Sequence, residues 1–521
     1  MSSRKSVPED DETPRLPMPT QIVSNGEYLP QPQTPQQKQV DALVQELADR
    51  RARKLGLKRR DFLRTAAGTA TVMFAMNQIY GCGSDGGRGG GKATPTPTST
   101  ATPSPTAAPF NVCEEHTLDP ERAREVFDAE FFIMDVQTHH VDLEGAWYPA
   151  LKNAIAGLRF RDFAPCNFTD SDCKLTLITR ENYIREMFLE SETAVGVMSG
   201  VPPGAGGILP NDTMAATRDE VNMLANSQRM LAQMLCEPTL PEGSGGRTTI
   251  YDIERNVQEL GSVALKCYPG SDFWWLDDED VAYPMYERAV AAGIEVVSVH
   301  KGFPGLFGAM AATYVQSIDI PKAARDWPNL NFVIYHSGYY PGATQLPDGS
   351  VVPAGIEQFV SILEANPDIT NVYAEIGSTF ASTIAGGGVE AMDILGRLLK
   401  VVGPDRIIWG TDSVWWGSPQ WQIDALKAFQ ISEQLQEQKG YPALTDEIRA
   451  KIFGLNAARL YDVDVEATRC TLATDALAVA RAERAQTKPL PVARPHGPRT
   501  RREFLQLSAL EQRIDAARRT S

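Results

Sequence analysis

The chain has 521 residues, of which 42% are hydrophobic and 22% charged, a composition typical of globular proteins that excludes a wholly disordered, collagen-like or coiled-coil chain. The net charge is −16, but the ends are basic: residues 1–60 carry 11 Lys and Arg against 8 Asp and Glu, and residues 481–521 carry 10 against 4, which leaves −25 for the residues between. So large a negative charge on these residues argues against nucleic acid as a partner. Seven cysteines are too few for a disulfide scaffold.

Residues 1–37 are rich in Pro, Gln, Asp and Glu, which predicts that the leader, residues 1–57, is largely disordered. Within it, Val40, Leu43, Val44 and Leu47 have helical spacing, so we expect a short amphipathic helix.

Residues 58–82 resemble a twin-arginine export signal, because Arg59 and Arg60 precede one polar and two apolar residues. An apolar run of about 17 residues follows, which is short for a membrane span of ~20 residues. The alternative is a chance Arg-Arg pair before a buried helix. The resemblance implies that the twin-arginine translocase is a partner and that the protein is exported to the periplasm or the outer membrane face.

Cys82 ends the sequence Ile79-Tyr80-Gly81-Cys82, which resembles a lipobox, whose cysteine is lipidated after cleavage. Residues 83–110 are rich in Gly, Thr and Pro and have little to bury, which predicts a spacer. A tether that begins at a cysteine suits a lipid-anchored protein. The alternative is a cleaved signal with an incidental cysteine.

Between residues 125 and 465, short apolar runs alternate with helical stretches. Eight strands are predicted, at Phe131–Thr138, Thr193–Ser199, Leu231–Glu237, Val263–Tyr268, Glu295–His300, Asn331–His336, Asn371–Ile376 and Arg406–Gly410. The predicted helices between them are Glu181–Glu190, Ala215–Met230, Tyr251–Leu260, Asp280–Ala292, Ile320–Trp327, Ile356–Ala365 and Ala391–Val402.

Eight strands in alternation with helices are the count of an α/β fold of the (β/α)8 TIM-barrel type, and continuous apolar strands suit a parallel sheet buried on both faces. An open doubly wound sheet is the alternative, but it usually has a glycine-rich turn after its first strand, where this chain has Gln-Thr-His-His. Residues 141–180 are expected to form a loop insertion over the mouth of the barrel, and residues 466–521 a basic tail.

Three of the six histidines lie where predicted strands end: His139, His300 and His336. Functional side chains of a barrel come from the C-terminal ends of its strands. These histidines, together with Asp412 after the eighth strand, therefore predict one shared site. Imidazole and carboxylate suit Zn²⁺ and similar ions, which make bound water nucleophilic at neutral pH, and a carboxylate can take its proton.

Five short motifs occur in order along the chain. They are Asp135-Val136-Gln137-Thr138-His139, Val299-His300, Tyr335-His336-Ser337-Gly338, Trp409-Gly410-Thr411-Asp412-Ser413 and the closing helix 452–460. Together they resemble the amidohydrolase-related family, which includes aminocarboxymuconate-semialdehyde decarboxylase, over roughly residues 125–465. The resemblance implies one divalent metal, held or faced by His139, His300 and Asp412, and a His336 that binds substrate or moves protons.

Gln137 stands where this family has a metal-ligating His or Glu. A neutral amide is a poor ligand for Zn²⁺, so the site would bind metal weakly, bind it with water in place of the side chain, or work without metal. His140 does not replace the ligand, because its strand parity is opposite to that of His139 and directs it toward the helix layer.

Lys266 and Glu375 end the fourth and seventh predicted strands, and Trp275 and Trp415 lie at the predicted mouth. We expect these four residues to bind substrate, with a structural role as the alternative for each. Their types suit a small aromatic or carboxylated molecule.

Three functions fit this pattern. The first is a metal-dependent hydrolase of an ester, lactone or amide that uses Asp412 as base. The second is a non-oxidative decarboxylase of an aromatic or unsaturated acid, since the family does both. The third is a catalytically idle surface-binding barrel. The sequence is also compatible with a homo-oligomer.

Overall fold

The computed structural model describes residues 16–21, 33–81, 108–142, 178–201, 208–244, 248–304 and 310–487. Cys82, most of the predicted spacer, most of the predicted loop insertion and the chain after residue 487 lie outside this description.

Eight parallel strands form the centre of the protein, and all eight predicted strands are present. We number them β1 to β8 in chain order. Their bounds are Met134–Thr138 (β1), Val195–Met198 (β2), Met230–Ala232 with Met234–Leu235 (β3, in two pieces), Leu265–Cys267 (β4), Val296–His300 (β5), Asn331–Tyr335 (β6), Val372–Glu375 (β7) and Ile407–Ile408 (β8).

The strands pair in chain order and the ring closes between β8 and β1. Strands β1, β2 and β3 pair successively, as do β3 to β8, and Gln233 joins the two pieces of β3. Backbone hydrogen bonds from Val136 to Trp409 at 3.1 Å and from Asp412 to Gln137 at 2.9 Å connect β1 to the chain that follows β8. The predicted (β/α)8 barrel is therefore confirmed, and the open-sheet alternative is wrong.

Helices surround the barrel and cover the outer faces of its strands. Strand β5 is buried at all five residues, and its Val297 and Val299 share one hydrophobic cluster with Met285 and Tyr286 of the helix before it. Burial on both faces explains why the strands are apolar without interruption.

Before β3, the predicted end of one helix is wrong. The helix predicted at Ala215–Met230 spans Asn211–Ala225, because Asn226 adopts a left-handed conformation (φ 57°) that ends the helix and leaves Met230 to begin β3. Among the described residues, the other α-helices up to this point are Pro35–Lys54, Arg59–Phe62, Ala66–Tyr80, Pro120–Phe127 and Arg180–Ile184, the last continued by a π-helix at Arg185–Leu189.

The helices after β3 follow the barrel order. They are Ile253–Gln258, Pro269–Asp272, Ala282–Ala291, Ala311–Tyr314, Ile320–Asp326, Glu357–Ala365, Thr379–Ala385, Val389–Val401, Gln420–Ala428, Glu433–Lys439, Asp446–Ala450, Asn456–Leu460, Val465–Leu472 and Ala476–Thr487. A short antiparallel pair, Thr344–Gln345 with Val351–Val352, lies between β6 and β7.

The apolar run of the predicted signal forms a buried helix, Ala66–Tyr80, that packs against helix Pro35–Lys54. The Asn77 side chain donates to the carbonyls of Phe110 at 2.7 Å and Val112 at 3.2 Å and accepts from the Phe110 amide. No helix in the part of the chain that the structure describes is long and apolar enough to cross a membrane.

Contacts join the ends of two predicted segments to the folded body. Phe110, at the end of the predicted spacer 83–110, bridges to Phe429. The start of the predicted tail 466–521 forms two helices, 465–472 and 476–487, and Asp475 between them forms a buried ion pair with Arg229 at 2.7 Å.

Candidate active site

Four of the predicted site residues meet at the C-terminal ends of the strands. His139 Nε2 lies 3.1 Å from Asp412 Oδ1, and Gln137 Nε2 lies 3.0 Å from the same oxygen and 3.4 Å from His336 Nε2. All four side chains are buried. Residues that are as far as 275 positions apart in the sequence thus share one hydrogen-bonded centre.

The His139 ring is held on both of its nitrogens. Its Nδ1 lies 2.6 Å from the carbonyl oxygen of Ser199, just after β2, and its Nε2 faces Asp412. Both partners are hydrogen-bond acceptors. The indole of Trp415 stacks on this ring, with centroids 5.9 Å apart and planes 18° apart.

The Asp412 carboxylate accepts three side-chain donors. Gln137 and His139 donate to Oδ1, and the Ser378 hydroxyl donates to Oδ2. Trp416 Nε1 in turn donates to Ser378 Oγ at 2.8 Å. Burial alone would raise the pKa of Asp412, but the hydrogen bond from His139 and the nearby His336 hold it below its usual value, so the group is an anion at neutral pH.

His336 presents a neutral imidazole to the same centre. Its Nδ1 donates to the carbonyl of Gly377 at 2.9 Å, which leaves the lone pair on Nε2. Burial lowers the pKa of His336 to about 4. The rings of His300 and Phe303 lie 4.8 Å and 5.1 Å from it, and burial also holds the pKa of His300 well below its usual value.

Glu375 fixes the backbone around His336, which favours the structural alternative for this residue. Its Oε2 accepts from the His336 amide at 2.9 Å and its Oε1 accepts from the Gly377 amide. Both carboxylate oxygens are therefore used to fix the backbone around the imidazole. Burial raises the pKa of Glu375 to about 8, in spite of these two hydrogen bonds.

The backbone is strained at three of these positions. His336, Ser378 and Asp412, which follow β6, β7 and β8, have φ values of 63°, 48° and 57°. Such conformations cost about 1–3 kcal/mol each and concentrate at functional sites, where the surrounding structure enforces them.

Lys266 lies beside this centre, within the barrel. Its Nζ is 3.5 Å from the ring centroid of Tyr335 and 4.5 Å from that of Tyr268, and the Tyr268 ring is 5.4 Å from that of His300. Trp275 is farther out: its half-buried ring packs on Tyr314, 5.1 Å between centroids. Trp275 thus belongs to the loops at the rim.

His140 points away from the site, as its strand parity predicts. Its Nε2 lies 2.9 Å from the Thr217 hydroxyl on helix Asn211–Ala225. Burial lowers the pKa of His140 to about 4, so it is a neutral residue of the helix layer.

Sequence reasoning missed Ser378, Gly377 and Ser199. Each follows a strand within three residues, so polar or small residues directly after apolar strands were a usable signal. The first motif includes Asp135 but assigned it no role. Its carboxylate accepts from the amides of Gln137 at 3.2 Å and Thr411 at 3.0 Å and thereby ties β1 to the loop that carries Asp412.

The side chains of this site do not fit the divalent metal that the family resemblance implies. The Gln137 amide nitrogen lies between Asp412 Oδ1 and His336 Nε2, two groups that an ion at this centre would have to approach. No three His, Cys, Asp or Glu side chains among the described residues are arranged to hold an ion.

Barrel enzymes have their active sites at the C-terminal ends of the strands, where this barrel brings together His139, His336 and Asp412. The model of the amidohydrolase family matches residues 190–463, which is more than half of the chain. The chain belongs to the amidohydrolase family. No curated protein gives a significant match.

Several solved structures are similar. A TIM-barrel protein from Bordetella bronchiseptica is 16% identical, with a TM-score of 0.40, over 64% of this chain and 98% of that one. A 5-carboxyvanillate decarboxylase from Novosphingobium aromaticivorans, complexed with manganese, is 14% identical, with a TM-score of 0.36, over 64% and 96%. A 4-oxalomesaconate hydratase from Rhodopseudomonas palustris is 19% identical, with a TM-score of 0.38, over 66% and 98%.

Proposed function

We propose that this protein is a hydrolase that cleaves an ester, lactone or amide bond in a small carboxylated or aromatic molecule. The observation that carries the proposal is the Asp412 carboxylate, an anion fixed by three donors and placed beside a neutral imidazole. An ionised carboxylate and a neutral histidine in one buried centre are suited to proton transfer at neutral pH.

In this proposal Asp412 is the general base. The Ser378 hydroxyl donates to one lone pair of Asp412 Oδ2, so the other lone pair can accept a proton from water. The water oxygen bonds to the substrate carbonyl carbon while its proton passes to Asp412. The bond to the leaving oxygen or nitrogen then breaks, and the leaving group takes the proton that Asp412 accepted from water. Gln137 and His139 keep the carboxylate in place.

The surroundings suit an acidic and partly apolar substrate. Lys266 is buried beside His300 and would pair with a substrate carboxylate. Trp415 over His139 and Phe303 against His336 provide aromatic walls. Trp275 at the rim would contact a longer substrate. Zinc has no step in this proposal, because the site does not fit it.

Turnover tests on three substrate groups separate the candidate functions. Lactones and aryl esters should release acid, which is measured by pH indicator or chromatography. Carbon dioxide release from hydroxybenzoates, without hydrolysis, would instead identify a decarboxylase. Absence of turnover in all three groups at high protein concentration would overturn the hydrolase proposal in favour of an idle binding barrel.

We propose further that the protein is exported by the twin-arginine route and anchored through Cys82. The sequence supports both steps, and Arg60 is exposed while Arg59 is partly exposed and pairs with Asp49 at 3.2 Å. Wild-type protein should then appear in the membrane fraction and Cys82→Ala in the soluble exported fraction. Wild-type protein that is wholly soluble after export would contradict the anchor alone.

A further inference from the structure

We infer that the Gln137 amide takes the place of a divalent metal in this site, so that the protein is a metal-independent member of its family. The inference uses the proposed function only for the location of the site. It is tested by metal content, which does not depend on which bond the protein cleaves.

The first argument is the position of the amide nitrogen. Gln137 Nε2 lies 3.0 Å from Asp412 Oδ1 and 3.4 Å from His336 Nε2. His336 uses its Nδ1 proton on Gly377, so its Nε2 is an acceptor. The two N–H groups of one primary amide thus face two acceptors, a carboxylate and an imidazole, that would otherwise share a cation.

The second argument is the direction of the amide oxygen. Gln137 Oε1 is buried, makes no hydrogen bond to the described residues, and points away from Asp412 toward Gly377. It lies 2.7 Å from the point that a Cβ at residue 377 would occupy, so the glycine makes room for it. A turned amide would bring its oxygen against the carboxylate oxygen of Asp412, an arrangement that only a cation between them would stabilise.

The third argument is the number of ligands. Catalytic zinc sites usually have three protein ligands of the His, Cys or carboxylate type. Here the amide stands at one ligand position, and the remaining side chains do not form a set of three in the described part of the chain. Two N–H donors, from Gln137 and His139, converge on Asp412 Oδ1 and supply the positive partial charges that a metal would otherwise provide.

The test is the metal content of tag-free, full-length protein that is equilibrated with Zn²⁺ or Mn²⁺, desalted and analysed by elemental mass spectrometry. We expect well under one equivalent of either metal in the wild type. Gln137→His, which supplies an imidazole at the centre, should gain up to about one equivalent of Zn²⁺. Gln430→His, which adds a histidine away from the site, should remain like the wild type.

About one equivalent of metal in the wild type, lost in Asp412→Ala, would overturn the inference and indicate that the amide turns its oxygen to the ion. Thermal unfolding of the wild type keeps the test decisive if Gln137→His does not fold. A melting temperature that is unchanged by chelator and by added Zn²⁺ supports the inference, and a rise that depends on Zn²⁺ concentration and vanishes in Asp412→Ala refutes it.

Discussion

At the scale of single residues, Asp412 is the group on which the proposed chemistry depends. Its two oxygens are held by side chains from β1 and from the loop after β7, and its backbone is strained. A carboxylate with so many fixed neighbours loses little orientational freedom when it accepts a proton, which is how a buried base is preorganised.

Replacement of Asp412 by Asn should lower kcat by roughly 10²–10⁴-fold while the protein remains folded, because the amide has the same shape and cannot accept the water proton. The measurement is kcat on a confirmed substrate, together with thermal unfolding. Asp368→Asn, on the outside of the barrel where Asp368 pairs with Arg325, is the control. A rate near that of the wild type would mean that Asp412 only shapes the pocket.

Asp424, on the helix Gln420–Ala428, should make stability depend on pH. Burial and the like charge of Glu192 raise the pKa of Asp424 to about 7, above the ordinary value near 4. Between these two values the folded protein binds more protons than the unfolded chain, so the free energy of unfolding falls as pH rises through 7.

Asp424→Asn removes the carboxyl whose ionisation lowers the free energy of unfolding. Its melting temperature should therefore exceed that of the wild type by a few degrees at pH 8 and by clearly less at pH 5. Asp128→Asn, at an exposed position in a cleft that Glu192 and Lys427 also line, is the control. An equal effect of Asp424→Asn at both pH values would show that the carboxyl does not titrate in this range.

At the scale of elements, the sequence and the structure of helix Ala66–Tyr80 point to different roles for the same segment. The sequence resembles an export signal, whereas the structure buries the helix and satisfies Asn77 with backbone groups of Phe110 and Val112. Export would therefore require this helix to leave its place against the folded body.

Asn77→Leu should lower the free energy of unfolding of the full-length chain by about 2–4 kcal/mol, because the Phe110 amide and two carbonyls lose buried partners. Urea unfolding measures this effect, and Gln78→Leu, one residue further on a less buried face, is the control. Equal stability of both variants would show that the helix is not docked in solution.

At the scale of the whole molecule, the export proposal concerns the cellular location of the folded barrel. Arg59→Lys with Arg60→Lys should retain the protein in the cytoplasm, because the paired arginines are the part of the signal that the translocase reads. Fractionation of cells that express each form measures this, with a double Lys substitution at Arg501 and Arg502 as the matched control. Normal export of the Arg59/Arg60 variant would refute the export proposal.

The sequence by itself determined the barrel and most of the rim that carries its site. Parallel strands that are buried on both faces must be apolar, so β1 to β8 are visible as apolar runs, and strand parity separates His139 from His140. Because the ends of parallel strands share one rim, the positions of His300 and Asp412 in the chain already predicted that they face the same mouth.

Only the tertiary structure decided what each side chain at this rim does. Glu375 was expected to bind substrate, but its oxygens are taken by amides whose directions depend on the strained turns after β6 and β7. The orientation of Gln137 and the contribution of Ser378 depend on hydrogen bonds between residues 34 to 275 positions apart. Local patterns encode burial and backbone periodicity, whereas the geometry of such contacts is set only when the ring of strands closes.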